Sequence, residues 1–468
     1  MRDSKAMNDL TNEHTQSVDI TEQKSNDRRQ FIKGSAAVAA GISMGMASLG
    51  LSAKSYARVI GANERMHSAV IGVNGRGQAL MKAAALAPNA EVNVICDVDS
   101  RAMQKANDML VHDTGSPARL IEDYREVLAQ KDVDTVLIAT PEHWHAPMAL
   151  LALQAGKHAY LEKPCSHNPA EGEMLLQAQQ KYKPLIQVGT QQRSAQTSIQ
   201  AVKDIAQGII DKVYYAKAWY SNNRASIGQA KESPVPEWLN WDLWQGPAPR
   251  ESFKDIYVHY NWHWFWQYGT GEINNNATHE LDIARWAMGL TYPNRVSSSG
   301  GRFHFDDAWQ FYDTQVVNYE YDDGKMLCWE GRSCNGFNHY DRGRGLTLHG
   351  TMGTILLDRN GYTAYNLERE IIKDMKEEGE SATTNTIGAG FLDNQHMNNF
   401  VAAIRTGEAL RAPITEGIIS NQLCHLGNYS QAVKRSLNID PSNGRILNDP
   451  EAMKYWSRDY EPGWEMKV

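Results

Sequence analysis

Two stretches of the chain hold residue types able to move a proton. In His158–Asn168 (HAYLEKPCSHN), an apolar run of strand type ends at Pro164, which cannot continue a central ladder. Glu162 and Lys163 therefore stand at the carboxyl end of a strand, the edge where open α/β sheets bind ligands. A lysine held there could exchange a proton with a bound hydroxyl; the plainer alternative is a salt-bridged pair at a strand end. The second stretch is Asn261–Met288 (NWHWFWQYGTGEINNNATHELDIARWAM). A helix over Ala277–Met288 would put His279, Asp282 and Trp286 on one face, with Asn275 on the loop or first turn. A buried histidine bonded to Asp282 without chemistry is the competing reading. Trp262, Trp264, Phe265 and Trp266 suit either a core or stacking on sugar faces, as do Trp238, Trp241 and Trp244.

The elements that must position these groups follow from the pattern around them. His67–Val73 reads as a buried strand and Gln78–Leu86 as a helix, with Gly72-Val73-Asn74-Gly75-Arg76-Gly77 between. Against G-x-G-x-x-G, Asn74 stands in the second glycine position, a departure that weakens the dinucleotide fingerprint. Glu91–Cys96 is a second strand ending in Asp97, about 25 residues beyond Gly72, where an acid accepts from a ribose and repels a 2′-phosphate. NAD is thus the expected cofactor, with NADP admitted by the nearness of Arg101. Helix Tyr124–Ala129, strand Asp134–Ala139, loop Thr140–His143, helix Trp144–Ala155, strand His158–Leu161, helix Pro169–Lys181 and a sixth strand, Leu185–Val188, continue the alternation. Such repeats mean a parallel doubly wound sheet, a Rossmann dinucleotide-binding domain. His143 and His145 lack a third ligand, so no metal is expected.

Beyond Gly189 the alternation lengthens. Helix Ser194–Gln207 precedes runs at Lys212–Tyr220, Arg295–Phe305, Thr314–Tyr321, Lys325–Arg332, Gly345–Gly350 and Thr354–Leu357. These predict an α/β domain with a mostly antiparallel open sheet. Glu368–Gly390 reads as a mobile loop, followed by helices Asn394–Arg405 and Thr415–Arg435. The expected division is a leader over 1–65, a Rossmann domain over 66–190 and a substrate-binding domain over 191–468.

Composition supports this frame. The 468 residues are 42% hydrophobic and 22% charged, globular values, with a net charge of −8 that argues against a nucleic-acid partner. Five cysteines without C-x-x-C pairs give no disulfide framework. Met1–Asp27 is polar enough to be disordered. Arg28-Arg29 before the weakly apolar run Gly34–Leu51 resembles a twin-arginine export signal, with a small-x-small cleavage site at Ser55-Tyr56-Ala57. The competing reading is an uncleaved anchor. Export places the protein in the periplasm or outside the cytoplasm, with no membrane span in the mature domain.

From about Asn63 onward the chain resembles the glucose–fructose oxidoreductase / inositol dehydrogenase / MocA (Gfo/Idh/MocA) family, on IGVNGRG, Asp97, LEKP at 161–164, GTQQRS at 189–194 and GTGEINNNATHELDIARW at 269–286. The resemblance implies that Lys163 and His279 are catalytic, the lysine placed near nicotinamide C4 and the substrate hydroxyl. It implies substrate contacts from Asn275, Asp282, Arg193 and Trp264. Cofactor contacts are expected from Gly72, Asn74, Gly75, Arg76, Gly77, Asp97, Thr140, His143, Glu162 and Lys163. Asn275 stands where the family pattern usually has aspartate, and a neutral amide can orient a hydroxyl but cannot take its proton.

Three functions fit. An NAD(P)-dependent oxidoreductase would transfer hydride from a secondary hydroxyl of a sugar or polyol. An NAD-dependent glycosidase would use transient oxidation to eliminate a leaving group. A non-catalytic sugar-binding protein, retaining cofactor structurally, comes third. A small carbohydrate is the expected partner, together with a second copy of the chain paired through the open sheet.

Overall fold

The computed structural model describes residues 65–377 and 390–468. The leader, its arginine pair, the cleavage site and most of the expected mobile loop lie outside the described residues.

The first sheet is built by β1 (Met66–Ile71), α1 (Arg76–Leu86), β2 (Ala90–Cys96), α2 (Ser100–Thr114), β3 (Arg119–Ile121), α3 (Tyr124–Ala129), β4 (Thr135–Ile138), α4 (His145–Gln154), β5 (His158–Leu161), α5 (Pro169–Tyr182) and β6 (Ile186–Val188). Its strands run parallel in the order β3-β2-β1-β4-β5-β6. The order reverses between β1 and β4, so their carboxyl ends diverge and leave a crevice. Ala69, Val70, Val136, Leu137, Ala159 and Tyr160 are wholly buried, which explains why these strands read as continuous apolar runs. Local signals set the helix starts: Asp99 accepts from the backbone N–H groups of Arg101 and Ala102, and Asn168 from that of Glu171, with Pro169 in the first turn. The short third strand, β3, is unnamed in the sequence reading because three half-exposed residues carry no periodic signal.

The second sheet follows α6 (Gln196–Ala206). It comprises β7 (Val213–Ser221), then, after α7 (Trp241–Gln245) and α8 (Thr278–Met288), β8 (Arg295–Gly301), β9 (Thr314–Glu320), β10 (Met326–Arg332), β11 (Arg344–Gly350), β12 (Gly353–Asp358), β13 (Gly361–Asn366) and β14 (Ile371–Lys376). Helices α9 (Phe391–Thr406) and α10 (Ile414–Val433) precede β15 (Leu437–Asn438). The order is β14-β13-β12-β11-β7-β10-β9-β8-β15, antiparallel except for β7 against β10. Two corrections follow. Ile371–Lys376, expected in a loop, is strand β14, because an edge strand needs only a partner's backbone and tolerates the charges of Lys373, Asp374 and Lys376. A π-helical turn, Ile273–Ala277, runs directly into α8 and carries Asn275, where a loop or ordinary first turn was expected.

Met66–Val468 forms one compact unit. The carboxyl-terminal segment is the reason: Met397, Phe400 and Val401 of α9 share a core with Val70 and Leu80, while Ile414 and Ile418 of α10 pack with Val136 and Val188. Trp464, Met466 and Val468 return to the same layer. Burying each such large aliphatic side chain contributes about 1.5–3 kcal/mol, so the tail stabilises the nucleotide half. Among the described residues no helix is long and apolar enough to cross a membrane.

Candidate active site

The carboxyl ends of β1, β2, β4 and β5 open into a cavity of about 710 Å³, closed on its far side by the π-helical turn, α8 and the ends of β7, β11 and β12. Gly72, Asn74, Gly75, Arg76, Asp97, Thr140, Glu162, Lys163, Asn275 and His279 all line it.

At its nucleotide end the backbone is shaped by glycine. Gly72 has φ +83°, and a Cβ there would lie 2.7 Å from the Ala139 carbonyl oxygen. A Cβ on Gly77 would lie 1.8 Å from the Gly72 carbonyl oxygen. No side chain caps α1, so its first N–H groups are open to a phosphate at the helix amino terminus. Asp97 accepts from the backbone N–H groups of Val73 (2.6 Å) and Asp99 (2.9 Å), which aim its carboxylate along the cavity wall. Burial raises its pKa. The Thr140 hydroxyl is buried without a partner among the described residues. The open N–H groups of α1 and the oriented Asp97 carboxylate suit an adenine dinucleotide, which they would hold by its phosphates and a ribose. Asn74 is exposed at the turn and lines the cavity in the second-glycine position.

At the other end, Lys163 Nζ donates to the backbone carbonyl of Asn275 (2.7 Å) and to its side-chain oxygen (3.2 Å). Burial lowers the lysine's pKa, with Glu162 and Glu142 opposing that shift. Glu162 in turn accepts from Arg76 Nε (2.7 Å) and Gln191 (3.1 Å), and Arg76 also pairs with Asp393. His279 is buried, its Nδ1 has no partner among the described residues, and burial with the charges of Arg359, Lys163 and Arg344 holds its pKa well below the ordinary histidine value. It is a neutral imidazole. Glu142, beneath the lysine, is pushed up to about 8 by burial and accepts from the Thr270 hydroxyl.

Five expected contacts lie off the cavity wall, the first being Gly77, which packs on the Gly72 carbonyl instead. Asp282 faces away from the imidazole and forms a buried two-bond pair with Arg193 (2.7 and 2.9 Å), supported by Ser420 (2.6 Å). That pair ties α8 to the turn Gln191–Ser194, with Ser420 adding the bond from α10, and leaves neither residue on the cavity wall. The one-turn offset places His279 and Asp282 on neighbouring but diverging directions. Trp264 is 1% exposed and stacks on Trp309 with ring centroids 3.8 Å apart, so it is core. His143 packs behind the cavity against Trp244, whose carbonyl its Nε2 contacts at 3.0 Å; its neighbour His145 lines the cavity instead. The sequence reading also missed His259, Tyr260, Arg224, Arg344, Arg359 and Asp393, which line the cavity from loops, strand ends and the first turn of α9. His259 contacts Asp99 (2.8 Å) and Arg344 pairs with Glu280 (2.7 Å), partnerships made only by folding.

A dinucleotide cradle facing a lysine–histidine pair defines an NAD-dependent oxidoreductase. Residues 66–190 match the Gfo/Idh/MocA oxidoreductase family's NAD-binding Rossmann fold, and residues 214–356 match the C-terminal alpha/beta domain of the same family. The chain belongs to the Gfo/Idh/MocA family. Residues 25–45 match a twin-arginine translocation signal, the route by which the protein is exported. Similar curated proteins include a glycosyl hydrolase family 109 protein of Saccharopolyspora erythraea, 27% identical over 50% of this chain and 57% of that one. An alpha-N-acetylgalactosaminidase of Shewanella oneidensis is 26% identical over 41% of this chain and 45% of that one. The chain spans about half the length of the curated relatives it matches. Among solved structures, a levoglucosan dehydrogenase in complex with NADH and levoglucosan aligns over 80% of this chain and 99% of that one, at TM-score 0.62 and 19% identity. The WlbA dehydrogenase of Bordetella pertussis, with NADH and UDP-GlcNAcA, covers the same shares at 0.59 and 20%. Both share the fold.

Proposed function

We propose that the protein oxidises a secondary hydroxyl of a carbohydrate or polyol, with Lys163 and His279 as the catalytic pair. The observation that supports this most is their meeting, from the end of β5 and from α8, in one cavity with the dinucleotide cradle. Bound NAD supplies the hydride acceptor. His279, a neutral imidazole on the cavity wall, accepts the hydroxyl proton. Lys163 donates a hydrogen bond to the same oxygen and stabilises the charge that develops there. Its bonds to Asn275 fix the ammonium, and the Asn275 side chain orients a neighbouring hydroxyl without titrating. The test is a titration of the purified, cofactor-loaded protein with sugars and polyols, following reduced-nicotinamide absorbance. Loss of that signal in Lys163→Met with NAD affinity retained supports the assignment; wild-type turnover in that variant sinks it.

A second reading, redox-neutral glycoside cleavage, is favoured by the names of the curated relatives. The same pair would act first on the hydroxyl and then on the adjacent C–H, whose electron pair expels the leaving group; water then adds to the unsaturated ketone and the hydride returns to the carbonyl, so there is no net oxidation. Release of nitrophenol from a nitrophenyl glycoside, with no added cofactor and no accumulated reduced nicotinamide, distinguishes it. Self-association is assigned to the open sheet face, where Val316 and Met326 are exposed opposite the buried Val317, Tyr319, Leu327 and Trp329; sedimentation measures it.

A further inference from the structure

Five cationic side chains line the cavity: Arg76, Lys163, Arg224, Arg344 and Arg359. Three of the four arginines are neutralised in place. Arg76 pairs with Glu162 and Asp393, Arg224 with Glu272 (2.5 Å) and Arg344 with Glu280 (2.7 Å). Arg359 differs. Among the described residues no carboxylate lies within ion-pair distance of it, and it makes no hydrogen bond. It follows β12 directly, beside Asp358, whose backbone carbonyl accepts from Gln192 and whose carboxylate is taken by Arg342. The nearest acid in sequence is therefore already engaged.

Arg359 reaches the cavity from a different element than the dinucleotide cradle, close enough for the charges of Arg76 and Asp393 to act on it. The pyrophosphate end is made by Gly72–Arg76 and the ribose end by Asp97, all on the first sheet, whereas Arg359 comes from the second sheet. Its charge acts on His279 more strongly than that of any other neighbour. A guanidinium with five donors and no acceptor, in a partly desolvated wall, is costly to leave unpaired. Burial and the like charge of Arg344 push it down to about 9, and the more distant carboxylates of Glu280 and Asp393 offset only part of that shift.

We infer that Arg359 is a specificity-determining residue that binds the carboxylate of an acidic sugar, making a uronate-type carbohydrate the preferred substrate over its neutral counterpart. This rests on the carbohydrate oxidation proposed above. The planar guanidinium offers two parallel N–H donors to a carboxylate, a geometry that no neutral hydroxymethyl group can match. Held there, the sugar ring would lie between Arg359 and Lys163, with its secondary hydroxyls toward His279.

The test measures binding, so that it stands apart from turnover. Cofactor-loaded protein is titrated calorimetrically with D-galacturonate and D-glucuronate, and in parallel with D-galactose and D-glucose. At least one uronate is expected to bind about tenfold or more tightly than its neutral partner, with the difference shrinking as salt rises. Arg359→Gln should erase the preference and leave NAD affinity unchanged, while Arg359→Lys should keep part of it. Thermal melts identify any variant that fails to fold, and the lysine variant then carries the comparison. Equal binding of acidic and neutral sugars, no binding of either uronate, a preference that survives Arg359→Gln, or loss of NAD affinity in that variant would each overturn the inference. Uronate preference without any hydride transfer would instead uphold Arg359 and refute the proposed reaction.

Discussion

Lys163 Nζ donates to the main-chain carbonyl of Asn275 at 2.7 Å and to its side-chain oxygen at 3.2 Å, joining the end of β5 to the π-helical turn before α8. One bond depends on the asparagine side chain and the other does not. The lysine is thereby held in the cavity by backbone geometry, while burial, opposed by Glu162 and Glu142, sets its charge.

Removing the lysine should therefore cost chemistry and leave cofactor binding. Lys163→Met is expected to lower the hydride-transfer rate about 10²–10⁴-fold, and His279→Ala to do nearly the same. Pre-steady-state absorbance of reduced nicotinamide measures the rate, and fluorescence titration checks that NAD still binds.

Asn275→Asp places a carboxylate 3.2 Å from the ammonium. An adjacent negative charge favours protonated lysine, so Lys163's pKa should rise. The pH–rate profile should gain activity on its alkaline side relative to the parent if the ammonium form is the active one. An unmoved alkaline limb would show that Lys163 does not set it.

Two backbone N–H groups fix the Asp97 carboxylate at the cavity wall, where the proposed reading puts a ribose. Asp97→Ser should raise NADP affinity relative to NAD by about tenfold, the ratio that ~1.4 kcal/mol represents. Calorimetry on cofactor-stripped protein gives both constants; an unchanged ratio would place discrimination elsewhere.

Stability should fall in acid through buried histidines. His396 contacts the Val188 carbonyl at 2.9 Å through Nε2 and the Ser194 hydroxyl at 2.6 Å through Nδ1. A neutral ring donating at the first and accepting at the second satisfies both, and burial pushes its pKa down to about 4. The unfolded chain takes up this proton near 6.5 and the folded chain only near 4, so stability is full above 6.5 and is lost as pH falls through that window. Roughly 3 kcal/mol is at stake for this one group. His396→Gln should flatten the dependence of the melting temperature on pH between those values. His425, also down to about 4, contributes in the same direction.

Replacing Arg28 and Arg29 together by lysine should leave the protein in the cytoplasm, because the twin-arginine pair is what the export machinery reads. Fractionation with immunoblotting checks it.

The parallel sheet, its glycine turn, Asp97 and the strand-end lysine are legible in the sequence because each depends on neighbours within a few positions. Pro164 ends β5 locally, and Gly72 and Gly77 meet a steric demand of one turn. The antiparallel second sheet is legible for the same reason, through alternation along each strand, whereas β3 and β14 are too short or too charged to signal themselves. What the tertiary structure decided is direction and pairing. The spacing of His279, Asp282 and Trp286 predicts one face of a helix, yet a helical turn spreads its side chains widely enough that His279 enters the cavity while Asp282 meets Arg193. Trp264 and His143 have the chemistry of ligand contacts and are core residues, since an aromatic ring's role depends on what stacks against it. Arg76, Arg344 and Arg359 are alike as letters. Only packing shows that two of them meet carboxylates and that the third, among the described residues, does not, because an ion pair is fixed by distance in space and the partners of Arg76 and Arg344 are brought from 64 to 317 positions away in the chain.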